Sequence, residues 1–242
     1  PVPEQVIIPM VQHIGAPCTP LVKKGDPVFV GTKIGDSDAF VSAPIHSSVS
    51  GTVSEIKLIS LPNGSECQAV VILADGNQTP DPALKPVTVT TAEQLAAAAR
   101  DCGLVGLGGA GFPTSVKLTM KDLSVIDTLI INGAECEPYI TADNREFIEN
   151  PEDVMSGIVA VKKWLNIKSV IKPEAMDVMF GLIKGDPSIT VKPLPSVYPQ
   201  GAEKILIESC TGREVPRGGL PSDVGCIVMN VSSVAFVAAY LR

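Results

Sequence analysis

Short apolar stretches alternate with polar positions and are broken by turn residues throughout the first part of the chain. Val28–Phe29–Val30 and Gly51–Thr52–Val53 have this texture. Lys24–Gly25–Asp26, Ile34–Gly35–Asp36 and Pro62–Asn63–Gly64 are turn signals between such stretches. Alternation of this period, bounded by Gly, Pro, Asn and Asp, predicts short strands, so residues 1–85 are expected to form a small all-β unit. Asp75–Val89 contains Pro80, Pro82 and Pro86 and reads as a connector. Thr91-Ala-Glu-Gln94 then has the form of a capping box, followed by Leu95–Cys102 and by Gly103 as a helix stop.

Beyond the connector the period changes. A strand is predicted at Asp127–Ile131, a polar helical turn at Thr141–Glu149 and a helix from Pro151 to Trp164. A strand at Ser169–Ile171, a helix from Pro173 to Ile183 closed by Gly185, a strand at Ile189–Lys192 and a helix at Gln200–Cys210 closed by Gly212 follow. The apolar run Gly225–Leu241 is shorter than the roughly 20 apolar residues of a membrane span and is read as a buried helix starting near Asn230. Strands alternating with helices at this spacing imply βαβ units and a mostly parallel sheet, here assigned to residues 90–242.

Candidate chemistry concentrates between Gly103 and Pro138. Gly106, Gly108, Gly109 and Gly111 precede a helix start marked by Pro113, with Lys117 one turn further in. Glycines let backbone N–H groups approach a ligand, a helix N-terminus adds partial positive charge and Lys117 adds a full one, which suits a phosphate or pyrophosphate. A tight connection with no ligand is the alternative reading of such a run. The next strand delivers Asn132, Glu135 and Glu137 at its carboxyl end, where open α/β sheets place ligands. Glu135 and Glu137 can orient ribose or nicotinamide groups, or act as solvated loop carboxylates. Phe112 either stacks on a flat ring or wedges the loop on the sheet. Tyr198-Pro-Gln-Gly201 leads into another helix with Glu203 in its first turn, and Arg213 and Arg217 either pair with phosphate or lie exposed.

Composition narrows the choices. The 242 residues are 45% hydrophobic with a mean hydropathy of +0.29, enough for a well-buried core. A net charge of −7, a pI near 4.9, no basic run and 4% aromatics argue against a nucleic-acid partner. Cys18, Cys67, Cys102, Cys136, Cys210 and Cys226 form no C-x-x-C pair, and His13 and His46 are the only histidines, so no metal site is expected and the thiols read as reduced. No signal peptide is apparent, and Pro1 and Arg242 read as cuts in a longer protein.

Two phrases carry a family resemblance. GLGGAGFPT (106–114) with INGAECEP (131–138) resembles the flavin- and NADH-binding subunit of respiratory complex I. The whole chain, beginning with QHIGAPCTPLVKKGD (12–26), more closely resembles the C subunit of the Rnf electron-transport complex. The phrase from Lys23 to Ile56 is similar to a biotinyl/lipoyl-type barrel-sandwich module. Such carriers present a lysine at a hairpin tip; the stretch between Ile34 and Ala43 has none, so docking or scaffolding is expected of it. The fold implied is a barrel-sandwich unit followed by a Rossmann-like, mostly parallel α/β domain of the complex I type.

By that resemblance an FMN site falls on Gly106, Gly108, Gly109, Gly111, Lys117, Asn132, Glu135, Glu137, Tyr198, Gly201, Glu203 and Asn230, with Phe112 stacking on nicotinamide and Glu135 and Glu137 as the catalytic pair. Leu107, Ala134, Ala202 and Met229 stand where the complex I protein has arginine, aspartate, glutamate and asparagine. The resemblance further implies NAD(H) and ferredoxin as partners and 4Fe–4S clusters in domains beyond Arg242. It places the protein peripherally on the cytoplasmic face of a membrane, beside other subunits of an ion-translocating complex. A non-catalytic docking module of the same complex and a cobalamin reductase-type flavoprotein are the alternatives.

Overall fold

The computed structural model describes residues 2–119, 123–135, 137, 139–173, 187–195 and 197–242, with the backbone alone at 172 and 173. The helix expected at Pro173–Ile183 falls largely outside them. The chain forms two compact units that are not contiguous in sequence. The first comprises Pro1–Val87, Ala97–Val105 and Ala110–Val116; the second comprises Thr88–Ala96, Gly106–Gly109 and Lys117–Arg242.

The first unit is all-β apart from short helical pieces. Its strands are β1 (Gln5–Pro9), β2 (Thr19–Pro20), β3 (Pro27–Val28), β4 (Lys33–Asp36), β5 (Ile45–His46), β6 (Gly51–Ser60) and β7 (Glu66–Ala74). They make a sheet of order β1-β7-β6-β3 and another of order β2-β4-β5. The long β6–β7 pair is antiparallel from Gly51↔Ala74 to Ser60↔Glu66, with an irregularity between Val53 and Glu55. Inward residues of both sheets share one core: Ile8, Met10, Val28, Ile34, Ile45, Val53, Val70 and Ile72. Each fully buried aliphatic side chain contributes roughly 1.5–3 kcal/mol.

Gly15 holds a tight crossing in this unit. Its φ is +117°, and a Cβ there would lie 2.1 Å from the Val41 carbonyl oxygen, so only glycine fits. His13 is buried, with Nε2 3.0 Å from the Ala43 carbonyl oxygen and 3.2 Å from the Ala43 amide nitrogen. The Cys18 thiol donates to the same carbonyl at 3.2 Å. Burial pushes the Cys18 thiol up, so it stays protonated. Cys18, Cys67, Cys102, Cys210 and Cys226 are all unbridged; Cys136 lies outside the described residues.

Helix α1 (Ala92–Asp101) bears out the capping signal in altered form. Thr91 Oγ1 accepts from the Gln94 amide at 3.2 Å, but the Gln94 side chain reaches back to Thr90, accepting from its amide at 2.7 Å and its hydroxyl at 2.8 Å. The capping box is therefore displaced by one residue on its reciprocal side. Later in α1, Arg100 donates to Asp36 at 3.0 Å and to the Ser37 carbonyl at 2.6 Å, and Asp101 pairs with Lys33 at 2.9 Å.

The second unit is built on four parallel strands, β8 (Thr128–Asn132), β9 (Ser169–Pro173), β10 (Ile189–Lys192) and β11 (Cys226–Asn230), in the order β10-β9-β8-β11. Among the described residues its helices are α2 (Thr114–Leu118, divided between the units after Val116), α3 (Ala142–Glu149), α4 (Pro151–Trp164), α5 (Glu203–Thr211) and α6 (Val231–Tyr240). Leu129, Ile130 and Ile131 are fully buried, as expected for a parallel strand covered on both faces.

The terminal buried helix starts where it is expected, after Asn230, as α6; the first part of the apolar run is the strand β11, which the sequence reading lacks. Cys226–Met229 are buried on both faces of the sheet, so no alternation marks the strand, and a continuous apolar stretch of that length is indistinguishable from a helix by period alone. Asn230 punctuates it: extended backbone and a side-chain acceptor to the Ser232 amide make it the N-cap of α6.

Helix α4 buries Val154, Gly157, Ile158 and Val161, a stripe at i, i+3, i+4 and i+7. It meets α6 at Gly157, where a Cβ would lie 2.0 Å from the Val234 carbonyl oxygen. Among the described residues no helix is long and apolar enough to cross a membrane.

Gly157→Ala is expected to cost about 1–3 kcal/mol through overpacking at the α4–α6 contact, read as a lowered midpoint of urea unfolding. A second expectation concerns pH. Burial, with Lys33 nearby, lowers the His46 pKa against the opposing pull of Asp101 and Asp36. The unfolded chain then binds this proton more readily, so stability should fall as pH drops through about 6.5 toward the folded value. Urea midpoints between about pH 7.5 and 5.5 should fall less in His46→Gln than in the parent.

Candidate functional site

Strands β8 and β11 lie side by side and parallel, and their last paired residues are Asn132 and Asn230. The chain proceeds outward through β8, β9 and β10, then returns to the other side of β8 as β11. The direction of sheet growth thus reverses between β8 and β11. In open α/β sheets the crevice for ligands opens at the carboxyl ends of the strands at such a reversal.

Asn230 is held on three sides. Its Oδ1 accepts from the Ser232 amide at 2.9 Å, and its Nδ2 donates to Oδ1 and Oδ2 of Asp143 at 2.9 and 3.1 Å. Gly108 rests against it: a Cβ there would lie 2.2 Å from Nδ2. The preceding amide, of Leu107, donates to the buried Ser233 hydroxyl at 3.1 Å. The glycine run is thereby fastened to the first turn of α6. Gly109 differs, since a Cβ on it would meet nothing within 4 Å.

The other predicted residues of this unit engage one another. Asn132 Nδ2 donates to the Gly201 carbonyl at 2.9 Å, and its Oδ1 accepts from the Ala134 amide at 3.1 Å. Lys117 Nζ donates to Glu203 Oε1 at 2.9 Å and to the Val228 carbonyl at 3.0 Å. Glu135 accepts from the amides of Asp143 at 2.9 Å and Asn144 at 3.2 Å, so its carboxylate caps α3, whose own Thr141 makes no side-chain cap. Glu137 is exposed, as is Tyr198 at 75%. Gly106 is half-buried at the start of the loop.

Gly111 and Phe112 group with the first unit. The Gly111 carbonyl accepts from the Ile14 amide at 3.2 Å, and Phe112 is half-buried there. The helix that follows, α2, has only five residues, so little dipole stands behind Pro113. The longer helix whose start meets the glycine run is α6. Arg213 is structural: it forms a two-pronged pair with Asp127 at 2.7 and 2.9 Å and donates to the Val224 carbonyl at 2.9 Å. Arg217 is exposed.

Sequence reasoning passed over Asp143 and Ser233. An acid in the first turn of a helix is common without function, and a serine three residues past an N-cap carries no signal of its own. Burial pushes the Asp143 carboxyl up, the Asn230 amide pulls it back, and Glu135, Glu137 and Glu146 add repulsion.

A family model described as the Nuo51 FMN-binding domain matches residues 99–239. The chain belongs to that family. The barrel-sandwich hybrid domain of RnfC matches residues 1–77, ahead of the flavin-type domain, so both parts of the expected fold are present in the expected order. The expected kinship with the Rnf C subunit also holds. The chain is 44% identical to the C subunit of the Na+-translocating ferredoxin:NAD+ oxidoreductase complex of Acetobacterium woodii, over 98% of this chain and 55% of that one. It is 44% identical to the C subunit of the proton-translocating ferredoxin:NAD+ oxidoreductase complex of Clostridium ljungdahlii, over 96% and 53%. It is 40% identical to the C subunit of the ion-translocating oxidoreductase complex of Pseudomonas aeruginosa, over 98% and 32%. The chain therefore spans about half the length, or less, of the curated relatives it matches. Among solved structures, the crystal structure of an NAD+-reducing NiFe hydrogenase shares the fold, with a TM-score of 0.52 and 24% identity over 66% of this chain and 34% of that one.

Glu135→Ala removes both acceptors from the first turn of α3 and is expected to lower stability by about 1 kcal/mol. Glu135→Gln keeps one acceptor oxygen and should recover part of that loss. Urea unfolding of the three proteins measures it.

Proposed function

We propose that this chain is the flavin- and NAD(H)-handling part of the C subunit of an ion-translocating ferredoxin:NAD oxidoreductase complex. FMN would be held at the carboxyl ends of β8 and β11 by Gly106, Gly108, Gly109, Lys117, Asn132, Tyr198, Gly201, Glu203 and Asn230. The observation that carries this reading is the contrast within the glycine run: Gly108 is packed on Asn230 while Gly109 faces open space. A loop fastened at one residue and bare at the next suits backbone approach to a nucleotide.

The residues also fit the group in their unmet needs. Among the described residues Asn144 Oδ1 is buried and accepts no hydrogen bond, which costs about 1–3 kcal/mol that a ligand N–H would return. Lys117 has given two of its three N–H donors to Glu203 and Val228 and keeps one for an anion. Glu135 and Glu137 supply carboxylate acceptors for ribose hydroxyls or a nicotinamide amide. When bound, FMN supplies the conversion between two-electron and one-electron transfer; the chain supplies position, charge and exclusion of water. Gly111 and Phe112, in the first unit, carry no part of this reading.

The relatives' names support ferredoxin, NAD(H) and the other subunits of the complex as partners; 4Fe–4S clusters outside these residues and a peripheral seat on the cytoplasmic face of a membrane belong to the same proposal. A docking module without cofactor is the second reading. It is favoured by the way Lys117 and Glu135 are already engaged by protein groups.

Titration with FMN, followed by quenching of flavin fluorescence, separates the two. Saturable binding in the parent is expected. Gly109→Val should weaken it about tenfold or more while changing stability by less than about 0.5 kcal/mol, since its side chain enters open space. An unsaturable titration of the parent would leave the docking reading.

A further inference from the structure

Asp143 stands apart from the residues the glycine motif points to, yet the network runs through it. Its carboxylate is not the cap of its own helix. Glu135 already takes the α3 amides of Asp143 and Asn144, at 2.9 and 3.2 Å. Both Asp143 oxygens instead lie on Asn230 Nδ2, at 2.9 and 3.1 Å, 87 residues away in sequence.

An asparagine amide has two unlike ends, and its partners decide which way it faces. Here the Ser232 amide takes Oδ1 and the Asp143 carboxylate takes Nδ2. A flipped amide would present oxygen to a carboxylate and N–H to N–H, unfavourable at both ends. Nδ2 is also the atom that Gly108 rests against, 2.2 Å from where a Cβ would stand. The face that Asn230 turns to the glycine run is therefore dictated from α3.

We infer that Asp143 is a positioning residue: through Asn230 it fixes the height of the Leu107–Gly109 loop from which the flavin nucleotide is held. This rests on the flavin reading above for its purpose, but not for its mechanics. Glu135, by clamping the backbone of Asp143, orients the carboxylate in turn, so a chain of contacts runs from the end of β8 to the end of β11.

The test uses the intact protein and the variants Asp143→Ala, Asp143→Asn, Asn230→Ala and the Asp143→Ala/Asn230→Ala double. Amide hydrogen exchange at Leu107–Gly109 is measured without flavin. Asp143→Ala should speed it about tenfold, and Asp143→Asn, which keeps an oxygen facing Nδ2, should stay within about threefold of the parent. Unchanged exchange in Asp143→Ala overturns the inference. FMN dissociation constants form the second arm. Asp143→Ala should weaken binding about tenfold, and the double variant should bind no worse than the weaker single, because both remove the same link. Losses that multiply overturn it. A parent that binds no FMN sinks the proposed function, and the exchange measurement then decides the hold of Asp143 on the loop by itself.

Discussion

The pairing of β11 beside β8 is the constraint on which the second unit depends. Parallel strands demand a long return path, and here that path runs through β9, β10 and α5 before the chain comes back to the opposite edge of β8. The return sets Cys226–Met229 against Thr128–Ile131 in register and leaves Asn132 and Asn230 as neighbours where the ladder stops. Two of the site's polar links start from those two residues. Asn132 ties to Gly201 ahead of α5, and Asn230 ties to Asp143 in α3 and opens α6. A slip in this register would turn Asn230 and the residues beside it to the other face and dissolve each of these links together.

How much of this can be read from the residues alone depends on whether the signal is local. The strand that delivers Asn132, the helix from Pro151 to Trp164 and the glycine that closes α5 are local patterns, and each stands where its pattern places it. The β11 strand is not legible, because a strand buried on both faces shows no alternation and merges with the apolar helix after it. The partners are not legible either. Lys117 reads as a cation awaiting a phosphate; in the folded chain it lies 2.9 Å from Glu203, a residue 86 positions away. Glu135 reads as a ligand carboxylate, but the amides it accepts from belong to a helix whose own cap residue, Thr141, leaves them open. Both departures have one cause: charge and hydrogen-bond capacity at a site are shared among residues far apart in sequence, and spacing records only what is near.

That sharing settles the electrostatics of the crevice. Asp143, Glu135 and Glu146 gather around the start of α3, and the Lys117 charge is matched by Glu203. An anion brought here therefore gains little from net side-chain charge. Under the flavin proposal, what remains to hold it is one Lys117 N–H together with directional backbone N–H groups of the glycine run, which are fixed in place and need no reorganisation. The acids then act on the opposite end of the ligand problem. Under the same proposal they offer acceptors to the hydroxyl and amide groups of a nicotinamide nucleotide. Because donors and acceptors sit on separate elements, their spacing is only as firm as the contacts that join those elements. Asn230 touches the glycine run, α3 and α6 at once, and the half-buried Asp143 carboxylate faces the donor end of its amide, so one side chain joins three of the elements that line the crevice.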